Sequence, residues 1–402
     1  MKILHIVGSM DPASGGICQG IRSSDAVMVG LGATREVVSL DDPEASFLGM
    51  DSFPVHALGP SIGPWQYAVQ LKPWLIANLS RFDVFIINGL WIYPSYAAGE
   101  VMGIIRRKNR RGKKIKLPKI FVMPHGMLDP YFQHAPGRKL KAIRNWFYWK
   151  LIESKLVNNA DGVLFTCEKE LLLARKTFYP YHPKKEINVG YGIIPPPAFS
   201  PDMHNSFAEK CPGINDEPFL LFISRIHKKK GVDMLINSYA ILVKQALADK
   251  KPLPKLVIAG PGLNTSFGKE MIELANSYPD LKDLVFFPGM LTGNAKWGAL
   301  YGCQAFILPS HQENFGMAVV EAMACEKTVL ISDQVNIMTE ISSGGGAIIA
   351  TDTLDGTTES LKLWLNLSIA EQHIMGNRAL TTFKKYFDVK SSAPFFLKAI
   401  SN

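Results

Sequence analysis

"AFILPSHQENFGMAVVEAMAC", residues 305–325, holds an unbroken apolar run, a polar turn ending in Gly316, and a segment from Met317 to Cys325 that is apolar nearly all round. A short apolar run closed by turn residues reads as a strand buried on both faces, and the second segment as a buried helix. The unit is strand, turn, helix. Two acids interrupt it, Glu313 and Glu321. On one helix, positions eight apart point roughly 80° apart and lie about 12 Å apart along the axis. They are therefore no catalytic dyad: Glu313 falls in the turn and Glu321 in the early helix.

The same unit recurs along the chain. "KILHIVG", "FDVFIING", "KIFVMPHG", "DGVLFTCEKE", "FLLFISR", "KLVIAGPG", "LVFFPG" and "TVLISD" are continuous apolar runs separated by helix-length amphipathic stretches. That alternation predicts an α/β fold with parallel sheets, whose ligands bind at the carboxyl ends of the strands. At 402 residues, 47% hydrophobic and 20% charged, the chain suits two globular domains with a cleft between them. Proline and turn residues from Tyr191 to Pro218 place the boundary there. The expected domains are 1–195 and 215–385, each Rossmann-like, with 386–402 crossing back onto the first.

The start, "MKILHIVGSMDP", reads as a first strand rather than a signal peptide, and no run is long and apolar enough to span a bilayer. A cytoplasmic protein is expected. The five cysteines are scattered singly, which points to neither disulfides nor a zinc site. The net charge of +9 is concentrated: residues 101–150 carry fourteen Lys or Arg against one acid, Asp129. As a bare charge run, "RRKNRRGKKIKLPK" (106–119) is a solvated loop. The following "GRKLKAIRNWFYWKLIESK" sets Trp146, Phe147, Tyr148 and Trp149 among basic residues, a pattern suited to peripheral contact with anionic lipid, although part of it must face the core.

Three local patterns carry chemistry. Asn314, Phe315, Gly316 and Met317 supply backbone amides at a helix start, with a glycine permitting close approach by hydroxyls or anionic oxygens. Glu321 on an apolar helix needs a partner; a ribose diol would serve, and so would a structural Lys or Arg. In "FLLFISRIHKKKGVDMLINSYA" (219–240), Arg225 and Lys230 follow a strand and could neutralise a diphosphate, whereas Lys228 and Lys229 read as solvated.

Together these residues resemble glycosyltransferase family 4, the retaining nucleotide-sugar transferases with the two-Rossmann GT-B fold. The family's E-x7-E pattern corresponds to Glu313 and Glu321, and its R-x4-K-G pattern to Arg225, Lys230 and Gly231. Its glycine loop corresponds to Gly15 and Gly16 in "DPASGGICQG", and its His-Gly motif to His125 in "MPHGMLDP". The resemblance implies a hexosyltransferase in which Glu313 and the amides of Phe315, Gly316 and Met317 hold the donor sugar. It implies equally that Glu321 binds the ribose, Arg225 and Lys230 the diphosphate, and His125 the sugar near the reacting centre. It further implies retention of configuration, no cofactor and no metal; consistently, the sequence contains no Asp-x-Asp. The donor expected is a UDP-sugar, UDP-glucose first and GDP-mannose next, and the acceptor a glycan or lipid-linked sugar in polysaccharide assembly, bound by the basic first domain. Ser224 departs from a common glycine, and Glu326-Lys327 from a frequent Gly-x-Pro; neither removes a functional side chain.

Other readings fit less well. A dinucleotide oxidoreductase needs G-x-G-x-x-G, but Gly8, Gly15 and Gly16 are misspaced, and Gly260 and Gly262 are followed by Thr265 where the third glycine belongs. A glycosidase places paired carboxylates roughly 5–9 Å apart across an open cleft, and Glu321 reads as too buried. A non-catalytic nucleotide- or nucleic-acid-binding protein is the alternative function, but no nucleic-acid module is present and no nucleic-acid partner is expected.

Overall fold

In the computed structural model, which describes residues 1–401 apart from 13, 14, 113, 114 and 136, the chain divides into two units, Met1–Ile194 with Val389–Asn402, and Pro195–Asp388. The first is built on β1 (Lys2–Ile6), β2 (Thr34–Ser39), β3 (Val55–Ala57), β4 (Val84–Asn88), β5 (Lys119–Met123), β6 (Gly162–Phe165) and β7 (Glu186–Asn188), all parallel in the order β3-β2-β1-β4-β5-β6-β7. Helices cover the sheet because its central strands are apolar on both faces: all of Val84–Asn88 is buried. The chain runs outward from β1 to β3 and then returns to β4 beside β1. That reversal opens a crevice at the carboxyl ends of β1 and β4.

The second unit repeats the plan. β8 (Phe219–Ile223), β9 (Lys255–Ala259), β10 (Val285–Gly289), β11 (Ala305–Leu308), β12 (Thr328–Ser332) and β13 (Ala347–Ala350) form a parallel sheet ordered β10-β9-β8-β11-β12-β13. Its crevice lies between β8 and β11. The expected α/β architecture of two Rossmann-like sheets is the one observed.

Residues 195–214, which lie between the two expected domains, belong to the second unit. Its helix Pro201–Lys210 packs on the helix Gly293–Gly302 so closely that a Cβ on Gly298 would lie 2.0 Å from the Met203 carbonyl oxygen. The last helix, Val389–Ser401, belongs to the first unit. Val389, Ala393 and Ile400 enter a core with Ile3, Met28 and Val84, and Lys119 Nζ donates to the Ser401 carbonyl at 2.6 Å.

Of the aromatic tetrad, Trp149 is fully buried and stacks on Phe178 at 5.0 Å, and the Tyr148 hydroxyl accepts from Trp65 Nε1 at 2.6 Å. The other two point outward. Trp146 (48% exposed) and Phe147 (54%) join Leu140 (85%), Ile143 (56%) and Leu151 (65%) on one surface beside Lys139, Lys141, Arg144 and Lys150. No described helix is long and apolar enough to cross a membrane.

Candidate functional site

The second unit's crevice gathers most of the singled-out residues. After β8 the chain passes Ser224 and Arg225, makes a tight turn over Lys228–Lys230, and enters the helix Val232–Asp249 through Gly231. Gly231 has φ +67°, and a Cβ there would sit 2.2 Å from the Pro309 carbonyl oxygen, so no other residue fits without moving the β11 loop. That close approach brings Lys230 to Glu313. The ammonium, its side chain only 6% exposed, pairs with Glu313 Oε2. Arg225 is exposed and makes no ion pair among the described residues, so its fork of donors is available to a ligand.

Glu313 is held from both sides. Its amide donates to the Gln334 carbonyl at 3.0 Å, its carbonyl accepts from Asn336 N at 2.9 Å, and its Oε1 accepts from Asn314 N at 3.1 Å. The Asn314 amide is thus already used within the loop. Phe315 is buried edge-to-face against Phe387, with ring centroids 5.8 Å apart. Gly316, at φ +79°, turns the chain into the helix Met317–Ala324, which no side chain caps. Its first two amides, those of Met317 and Ala318, are the open donors of a helix start, where the dipole favours negative charge.

Glu321, in that helix, pairs with Lys296 at 2.8 Å, and the same ammonium lies 4.1 Å over the Trp297 ring. Of the two partners open for Glu321, the structure shows the lysine. Nothing in "TGNAKWGAL" marks Lys296; the one signal for it in the sequence is the general need of a half-buried acid for a cation. Each acid of the pair therefore holds its own lysine.

The glycines of "IAGPG" have a packing role. Gly260 has φ +144°, and a Cβ on it would lie 1.8 Å from the Ser224 carbonyl oxygen, so it lets the β9 loop lie against the β8 loop.

His125 and the glycine loop lie in the first unit. Gly15, at φ +97°, starts the helix Gly16–Gly30 with open space where a side chain would project, and the Tyr191 hydroxyl donates to the Gly16 carbonyl at 2.6 Å. His125 follows β5 at φ +52°, and the next residue is anchored where the Gly126 amide donates to Glu170 Oε1 at 2.5 Å. His125 keeps some surface, yet protein surrounds it densely enough that burial pushes its pKa down to about 4. It is neutral at ordinary pH. Its Nε2 lies 3.1 Å from Asn88 Oδ1 at the end of β4. Among the described residues, no group of three or more His, Cys, Asp or Glu side chains is placed to hold a metal ion.

Part of the chain is similar in sequence to known glycosyltransferases, and its fold is similar to solved ones. Residues 207–381, which include Arg225, Lys230, Glu313 and Glu321, match the family described as glycosyl transferases group 1. The chain is 26% identical over 150 residues to a D-inositol 3-phosphate glycosyltransferase of Gordonia bronchialis, covering 37% of this chain and 32% of that one. It is 27% identical over 175 residues to the lipopolysaccharide core biosynthesis mannosyltransferase LpsB of Rhizobium meliloti, covering 42% and 47%. The matched part thus spans about a third to a half of those relatives. Among solved structures, HepE of Anabaena in complex with UDP and glucose superposes with a TM-score of 0.72 at 18% identity, covering 100% of this chain and 99% of that one. A glycosyltransferase of Rickettsia africae gives 0.76 at 15% identity, covering 100% and 97%. At such identities these likenesses concern the fold.

Proposed function

We propose, because residues 207–381 match the group 1 glycosyl transferases and the chain has the GT-B fold, that it is a retaining hexosyltransferase. In this reading it moves a sugar from a nucleoside diphosphate sugar, a UDP-sugar first, to a lipid-linked acceptor in polysaccharide assembly at the cytoplasmic face of a membrane. The observation that carries the reading is the Lys230–Glu313 pair at the strand ends of β8 and β11. It sets a cation for the diphosphate beside an acid for the sugar, at the crevice where this fold binds ligands.

Transfer requires stabilising negative charge on the departing diphosphate as the sugar becomes oxocarbenium-like. Lys230, Arg225 and the amides opening the helix Met317–Ala324 are the groups for that task, and one such preorganised donor contributes about 3–4 kcal/mol. Glu313 and the amides of Phe315, Gly316 and Met317 orient the sugar. Glu321 takes the ribose diol, with Lys296 beside it. A phosphate oxygen of the leaving group receives the acceptor's proton on the same face, so the charge work falls to the chain's own cations, without a metal or other cofactor. The relatives' printed activities and the UDP held by HepE support a nucleotide-linked donor. The outward apolar and basic face of 139–151 supports an acceptor presented at anionic lipid.

A thermal-shift screen with UDP, GDP and ADP tests the donor: a ligand at 100 times its Kd adds about 2.7 kcal/mol. UDP is expected to give the largest shift, and no shift with any of the three would refute nucleotide binding.

A further inference from the structure

The crevice of the first unit holds a hydrogen-bond chain whose polarity is set by the Asn88 amide. Asn88, 4% exposed, ends β4 beside β1. Its Nδ2 lies 3.1 Å from the Ile86 carbonyl oxygen and 3.5 Å from that of Ile6. Both are pure acceptors, so the amide nitrogen must face them and Oδ1 must face away. Nδ2 is also 3.3 Å from His5 Nδ1, which makes that nitrogen an acceptor and puts the His5 proton on Nε2. On the other side, Oδ1 lies 3.1 Å from His125 Nε2 and can only accept, so Nε2 carries the hydrogen. His125 Nδ1 then bears a lone pair, and it makes no hydrogen bond among the described residues.

We propose that Asn88 is a positioning residue: it holds His125 as the Nε2–H tautomer, so that Nδ1 is an acceptor for a hydroxyl of the sugar substrate. This rests on the transferase reading for the hydroxyl and on the hydrogen-bond geometry for the tautomer. Burial supports it by keeping both imidazoles neutral, with His125 at about 4 and His5 well below its ordinary value. The other titratable groups lining this cavity are Arg35, bound to Asp25 at 3.1 Å, and Tyr191, edge-on to His125 with ring centroids 6.4 Å apart. A second-sphere partner that fixes tautomer and orientation is a recurrent way to tune an imidazole.

Two variants separate positioning from mere packing. Asn88→Leu removes the acceptor and releases the tautomer; kcat is expected to fall roughly tenfold or more, with the UDP affinity of the second unit unchanged. Asn88→Asp keeps an acceptor on Nε2; its second oxygen replaces Nδ2 against the Ile86 and Ile6 carbonyl oxygens, which costs stability, and its charge raises the His125 pKa. In the folded variant kcat is expected to approach wild type at alkaline pH, while the acid limb of its profile moves up, because protonated Nδ1 no longer accepts. A purely structural Asn88 would give both variants the same loss at every pH, and that result overturns the proposal. Long-range proton–nitrogen NMR of histidine-labelled wild-type protein reads the tautomer without any variant: Nε2–H at His125 is expected, and Nδ1–H would refute the assignment. If wild type transfers no sugar from any nucleotide donor, the functional reading fails, while the spectrum still decides the tautomer.

Discussion

Replacing Lys230 by Met is the sharpest local perturbation, because one ammonium is assigned both to the fold and to the ligand. Its side chain is 6% exposed and that of Glu313 20%. Removing one member of a fully buried pair costs about 3–5 kcal/mol. Glu313 retains some solvent and the Asn314 amide, so a loss of about 2 kcal/mol is expected in urea unfolding. The ligand loses a charged hydrogen bond of about 1.5–3 kcal/mol, so titration calorimetry should show UDP affinity falling roughly 10- to 150-fold. Glu313→Gln should leave UDP affinity near wild type and weaken the UDP-sugar, because the acid is assigned to the sugar. In the double variant the stability losses should fall short of additivity by about 1–2 kcal/mol. Lys228→Met, an exposed change on the same turn, should do little to either property. If Lys230→Met binds UDP like wild type while its stability drops, the lysine is purely structural and the diphosphate assignment is wrong.

Four further outcomes are expected. Glu153 is fully buried with its pKa raised to about 7 by desolvation, so the folded chain holds its proton over a range where the unfolded chain has released it. Stability relative to Glu153→Gln should therefore decline as pH rises from about 4.5 to about 7, by about 3 kcal/mol in all; a flat difference in paired melting curves would contradict this. His125 acts with the opposite sign: its folded pKa is depressed, so its contribution is lost as pH falls from about 6.5 to about 4. Gly231→Ala should cost about 2 kcal/mol or more, from positive φ and collision with the Pro309 carbonyl, and should weaken UDP by displacing Lys230; unchanged melting and affinity would show that the turn tolerates a side chain. Trp146→Ala with Phe147→Ala should abolish flotation with anionic vesicles and leave the melting temperature unchanged, since both rings face solvent; undiminished flotation would remove the lipid assignment from this face.

The architecture was legible wherever strands are buried on both faces. β4, β8, β9, β11 and β12 are apolar along almost their whole length, and each appears in the sequence as an unbroken run. The strands that escaped notice are β2, β3, β7 and β13. Three of these lie at sheet edges, where fewer faces need covering, and β3 and β7 are only three residues long. β2 is interior but carries Arg35, whose guanidinium is buried against Asp25, so its apolar pattern is broken by a charge satisfied from another element. The site divides in the same way. Arg225, Lys230 and Glu313 stand out because loops after buried strands leave few reasons for charge, and Glu321 because the helix that carries it is otherwise apolar. Lys296 and Asn88 do not, since their significance lies in partners 25 and 37 positions away, a pairing that only the fold creates.

The most direct test is a crystal structure of the protein with UDP bound. The account predicts the diphosphate at the β8–β11 crevice, with Lys230 Nζ and the Arg225 guanidinium on its oxygens and Glu321 on the ribose hydroxyls. A nucleotide lodged elsewhere, with Glu321 facing only Lys296 and Lys230 facing only Glu313, would contradict it.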